Sequence, residues 1–80
     1  MNEMKELLKY IAQNLVDEPD AVKVEAVEEE DAYVLKLSVA QDDMGKVIGK
    51  QGRIAKAIRT LIKAASATED KKYLVEIVDQ

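Results

Sequence analysis

Two glycines three residues apart, Gly49 and Gly52, lie between two stretches of helical periodicity, and this arrangement narrows the possible folds sharply. Before them Met44, Val47 and Ile48 repeat at helical spacing. After them Ile54, Ile58, Leu61, Ile62 and Ala65 share one face at about 100° per residue, while Arg53, Lys56, Arg59 and Lys63 share the other. The pattern predicts a helix of barely two turns, a four-residue turn and a longer helix beginning around Gly52. If a strand stands on either side, this helix pair is a crossover, right-handed by rule, that leaves its two strands parallel.

The flanking sequence supplies those strands. Ala32 to Ala40 alternates, with Tyr33, Leu35, Leu37 and Val39 against Val34, Lys36 and Ser38; Tyr73, Val75 and Ile77 alternate with Leu74, Glu76 and Val78. Ser66 to Lys72 reads as a polar connection. Upstream, Ala21 to Val27 sets Val22, Val24 and Ala26 against Lys23 and Glu25, and the acidic run Glu28-Glu29-Glu30-Asp31 reads as a solvated hairpin turn. Met4, Leu7, Leu8, Ile11, Ala12 and Leu15 form the stripe of a first helix over about residues 3 to 16, with Asn2 as N-cap and Pro19 beyond its end. Asp42 and Asp43 stand where a helix N-terminus favours negative charge. The order is helix-strand-strand-helix-helix-strand. We expect an α+β fold, a three-stranded mixed sheet with three helices on one face, as one domain over residues 1–80.

Composition narrows the function. Without cysteine or histidine the chain lacks thiolate chemistry, the commonest general base and the commonest metal ligand, so neither an enzyme nor a cofactor is expected. The acidic run lacks the spaced oxygens and turn glycine of a calcium loop, and no metal site is expected there. Met1 leads straight into charged Asn2-Glu3-Met4-Lys5-Glu6, and no apolar stretch approaches the roughly 20 residues of a membrane span. A cytoplasmic protein with no membrane contact is the expectation. The net charge of −4 alone argues against a nucleic-acid partner. Its distribution argues the other way: Met44 to Lys63 carries Lys46, Lys50, Arg53, Lys56, Arg59 and Lys63 and no acid, leaving −10 on the other sixty residues.

The turn Gly49-Lys50-Gln51-Gly52 lies inside this basic window. Glycines there let a sugar-phosphate backbone approach the main chain, Lys50 supplies charge, Gln51 a neutral donor, and the next helix a positive dipole end. Other glycine motifs fail on spacing. Gly45 to Lys50 is one residue short of a P-loop and no Ser or Thr follows the lysine; Gly45, Gly49 and Gly52 do not make a dinucleotide fingerprint. Lys46, between Gly45 and Gly49, removes the membrane-dimer reading. Base stacking on aromatics is not the expected mechanism either, because the chain has no Phe or Trp and Tyr33 and Tyr73 sit among aliphatic strand neighbours.

The string VIGKQGRIAKAI, residues 47 to 58, resembles the core of a KH domain: an apolar residue before the GxxG turn, a basic residue after it, and aliphatic positions at Ile54 and Ile58. The element order resembles the type II KH arrangement, and the whole chain resembles the small bacterial single-KH RNA-binding proteins of the KhpA type. The resemblance implies a groove for single-stranded RNA. Gly49, Lys50, Gln51 and Gly52 would hold the backbone, Ile48 and Arg53 would extend that wall, Lys46 would be a flanking phosphate contact, and a sheet edge would form part of the opposite wall. It also implies self-association or pairing with a larger KH-containing protein, and an RNA-chaperone or post-transcriptional regulatory role. The competing reading is a protein-interaction or dimerisation module that does not bind RNA, in which the glycines serve only the turn.

Overall fold

The computed structural model describes residues 2–79; Met1 and Gln80, the two ends of the expected domain, lie outside the described residues. Helix α1 spans Glu3–Gln13, strands β1 and β2 span Lys23–Glu28 and Ala32–Ser38, helices α2 and α3 span Met44–Ile48 and Arg53–Ala65, and β3 spans Lys72–Ile77. The sheet order is β1-β2-β3. β1 and β2 are an antiparallel hairpin in which Val24 faces Leu37, and its turn is closed by the Glu29 N–H donating to the Ala32 carbonyl at 2.7 Å. β3 pairs with β2 in parallel, Leu35 opposite Val75, as the crossover requires. The fold is therefore α+β with a mixed three-stranded sheet.

The registers place Val24, Leu35, Leu37 and Val75 on one face of the sheet, and these join Leu8 and Ala12 of α1, Val47 of α2 and Ile58 and Ile62 of α3 in a single buried cluster. Burying these side chains is the main source of stability, at roughly 1.5–3 kcal/mol for each large aliphatic group. Tyr33 and Tyr73, opposite one another across β2 and β3, stack with ring centroids 5.1 Å apart, and the Lys71 ammonium lies 5.0 Å from the Tyr33 ring centre. Their rings are engaged with each other at one end of the sheet.

Several boundaries and burials depart from the sequence expectation. α1 stops at Gln13 instead of residue 16, because the Asn14 backbone and side-chain amides both donate to the Tyr10 carbonyl and close the last turn. Leu15 therefore lies outside the core, exposed. Pro19–Ala21 forms a 3-10 turn, so β1 begins at Lys23 rather than Ala21, and it runs on through Glu28. β2 ends at Ser38, although Val39 beyond it is still fully buried. On α3, Leu61 is 53% exposed and Ala65 is exposed too, so the packed stripe is the narrower set Ala55, Ile58 and Ile62. Val34, on the face away from the helices, is buried between its strand neighbours Val27 and Leu74.

Candidate functional site

The turn between α2 and α3 is built by backbone conformation. Gly49 has φ 76° and ψ 173°, and its N–H still closes α2 on the Gly45 carbonyl at 2.8 Å. Lys50–Gly52 then makes one 3-10 turn, with the Gly52 N–H on the Gly49 carbonyl at 3.1 Å and the Arg53 N–H on the Lys50 carbonyl. Gln51 (φ 58°) and Gly52 (φ 73°) are both left-handed. That conformation costs a side-chain-bearing residue about 1–2 kcal/mol and glycine essentially nothing. The two glycines serve different ends. A Cβ on Gly49 would lie 2.6 Å from Ile54 Cγ1 and 2.9 Å from the Ile54 backbone nitrogen, so this glycine lets the turn seat on α3. A Cβ on Gly52 would meet nothing within 4 Å, so this glycine leaves bare main chain facing open space.

Lys50, Gln51 and Arg53 are exposed around that bare patch, with one Arg53 Nη donating to Gln51 Oε1 at 3.3 Å. Among the described residues no ion pair or hydrogen bond engages the Lys50 side chain. Ile48 stands beside the turn, 36% exposed, as an apolar contact surface. Lys46 is placed differently. Its Nζ lies 2.6 Å from Asp17 Oδ2 and 3.1 Å from Asp43 Oδ1, on the flank of α2 that meets the α1–β1 connection.

Asp43 is the residue whose role sequence reasoning missed. It occupies the N-cap position of α2 without a side-chain capping bond; its buried side chain instead accepts the Glu18 N–H at 3.0 Å and the Lys46 ammonium. Burial pushes its carboxyl up, but the hydrogen bonds from Lys46 and from the Glu18 and Asp17 N–H groups outweigh this and hold it below its ordinary 3.8. Lys46 is correspondingly held above its ordinary 10.5, first by its hydrogen bond to Asp17 and then by that to Asp43. The partner nitrogen comes from 25 residues upstream, so no local pattern marks the contact.

From the turn, α3 leads toward β3, which pairs only with β2 and leaves its other edge open. Arg59 reaches across to that strand, its Nε donating to the Val75 carbonyl at 3.2 Å. Between helix and strand lies a cleft lined by Arg59, Lys63, Lys72, Tyr73, Leu74 and Val75, in which Leu74 is half exposed. The sequence pointed to a sheet edge without naming residues; Lys72, Leu74 and Val75 lie along the open edge of β3. Lys56 and Lys63 are exposed and make no ion pair among the described residues. The arrangement combines bare main chain, unpaired cations and an apolar cleft, which suits a phosphate chain carrying flat bases. No helix among the described residues is long and apolar enough to cross a membrane.

A family description of the KhpA/KhpB KH domain matches residues 5–77. The chain is 61% identical over 75 residues to RNA-binding protein KhpA of Clostridium acetobutylicum, covering 94% of this chain and 100% of that one. It is 50% identical over 76 residues to RNA-binding protein KhpA of Listeria monocytogenes, covering 95% and 100%. Among solved structures it resembles part of an Aquifex aeolicus Era variant bound to GDP and AlF4−, with a TM-score of 0.66 at 19% identity. Era in complex with MgGDPNP and a segment of 16S ribosomal RNA gives a TM-score of 0.64, again at 19% identity. In both cases 95% of this chain is covered and it spans 29% of the other, a likeness of fold.

Proposed function

The chain belongs to the KhpA/KhpB KH-domain family, and on that premise we propose that it binds single-stranded RNA through the turn Gly49-Lys50-Gln51-Gly52. The carrying observation is that turn: bare main chain at Gly52 beside the unpaired Lys50, at the head of a helix with exposed cations. In this reading the phosphates meet the turn, Lys50, Gln51 and Arg53 donate to them, Ile48 packs on a sugar or base, and the strand continues toward the cleft beside β3. Lys46 borders the site and fixes α2 through its two carboxylates. The family is one of binding modules, not enzymes, and no catalytic step, metal or cofactor enters the account.

About three phosphates are within reach of such a site, so log K should fall with log salt at a slope near −2, from about −0.7 per contact on single strands. Affinity of one clamp is modest, and sequence selectivity is low because most contacts go to the backbone. Useful binding then needs several clamps on one RNA. A second copy, or a larger KH-containing partner, would supply them, and the exposed Ala57, Leu61 and Ala64 on α3 offer an apolar strip for that pairing. RNA-chaperone or post-transcriptional regulatory work in the cytoplasm is the role this fits.

The same strip supports the competing reading, a pairing module that does not touch RNA. Fluorescence anisotropy of a labelled single-stranded RNA at two salt concentrations separates the two. Wild type should bind and weaken with salt, and a folded Lys50→Asp, Gln51→Asp double variant should not bind. A folded wild type that binds no RNA would leave the pairing module as the better account.

A further inference from the structure

Arg59 is exposed on α3, yet one of its N–H groups is engaged within the fold. Its Nε–H donates to the Val75 carbonyl on the open edge of β3, inside the cleft that also holds Lys63, Lys72 and the half-exposed Leu74. An open strand edge ordinarily offers acceptors as well as donors, and a bare carbonyl there would welcome the amino group of adenine. Here a cation covers that carbonyl. A guanidinium has five N–H donors and no acceptor, so with Nε engaged the two Nη groups remain free to donate as a planar fork. At Val75 the wall of the cleft therefore presents the free donors of the guanidinium.

From this geometry we infer that Arg59 is a specificity-determining residue, favouring a base with two adjacent acceptors. Guanine offers O6 beside N7, and cytosine offers O2 beside N3. Adenine flanks N1 and N7 with its amino group, and uracil separates O2 from O4 by an N–H, so neither matches the fork with both of its teeth. The inference rests on the RNA-binding reading and adds to it a preference at one position, read by a side chain that the phosphate clamp does not use. Leu74 and the stem of Arg59 supply apolar surface against which the base lies flat.

The test compares wild type with Arg59→Lys, which keeps the charge and loses the fork, on four labelled single-stranded RNAs of one length: oligo(A), oligo(U), oligo(C) and alternating guanine and adenine. Circular dichroism establishes that the variant is folded. Wild type should bind the cytosine oligomer, the guanine-containing oligomer or both about tenfold tighter than oligo(A) and oligo(U), the size of one bidentate contact. Which of the two gains identifies the base. Arg59→Lys should bring the preferred oligomer down to the oligo(A) level while oligo(A) binding and the salt slope stay unchanged. Equal wild-type binding to all four, or an equal drop on all four in the variant, overturns the assignment and leaves Arg59 as a point charge. Binding of none by folded wild type is a different result, which overturns the RNA reading itself and the base preference with it.

Discussion

Lys46 and Lys50 stand four residues apart in one basic segment and live in opposite circumstances. Lys46, on the flank of α2, is held between Asp17 and Asp43; Lys50, at the turn, is exposed with no ion pair or hydrogen bond among the described residues. The flank is defined by side chains, one of them the buried Asp43, which tie the α1–β1 connection to the start of α2. The turn is defined by backbone, with three positive φ angles in four residues. The Lys46 ammonium is neutralised by carboxylates within the fold, whereas the Lys50 ammonium remains available to a ligand.

The turn's dependence on backbone is the easiest part of that contrast to break. Gly49→Ala combines a left-handed φ with a clash against Ile54, and should destabilise the protein by about 3 kcal/mol. Gly52→Ala faces open space and carries the conformational term alone, about 1 kcal/mol. Urea unfolding of both checks the difference; equal losses would mean that Ile54 yields freely.

On the flank, Asp43→Asn should lower the thermal midpoint more than Asp17→Asn, since only Asp43 is buried and accepts a main-chain N–H. The pH dependence carries a definite sign. A carboxylate whose folded-state pKa lies below its ordinary 3.8 contributes fully above that value and loses its contribution as pH falls through the lower, folded-state one. The gap in midpoint between wild type and Asp43→Asn should therefore be widest near neutral pH and narrow progressively in acid. A gap that stayed constant would mean that the contact works without charge.

The two lysine environments separate further in binding. Lys46→Met should lower stability and leave the salt slope of RNA binding unchanged. Lys50→Met should do the reverse, keeping the stability and reducing the slope by about 0.7. A Lys46 variant with normal stability and a shallower slope would put that lysine on the RNA. The smallest effect belongs to Lys71→Met. Its partner Glu28 is exposed, its carboxyl is held below the ordinary 4.5 chiefly by the Lys71 hydrogen bond, and surface pairs of this kind contribute little. Its urea midpoint should barely move, and its RNA affinity should match wild type.

The sequence carried the element order, the hairpin and the parallel crossover because alternation and helical period record which side of each element is buried. Val24, Leu35, Leu37, Ile58 and Ile62 all lie where those periods put them. Periodicity does not record how wide the packed stripe is. Leu61 and Ala65 keep helical phase with Ile58 and Ile62, yet no element covers them; Val34 breaks the alternation because Val27 and Leu74 flank it across the sheet. Of the candidate site, the turn and its cations were legible as a glycine motif in a region free of acid. The contacts of Lys46 with Asp17 and of Asp43 with Glu18, and the reach of Arg59 to Val75, join residues 16 to 29 positions apart, and composition along the chain holds no trace of them.

Every partner across β2 and β3 is forty residues away in sequence, from Ala32 opposite Lys72 to Leu37 opposite Ile77, and the glycine turn lies within that span. Pairings so distant close a long loop before they return any stabilisation, and they slow folding relative to local contacts. A chain with only its hairpin and helices formed has the cations but not the strand that makes the second wall of the cleft. The cleft beside β3 would thus be completed only when this long-range pairing forms, and a partly folded chain would present the glycine turn without it.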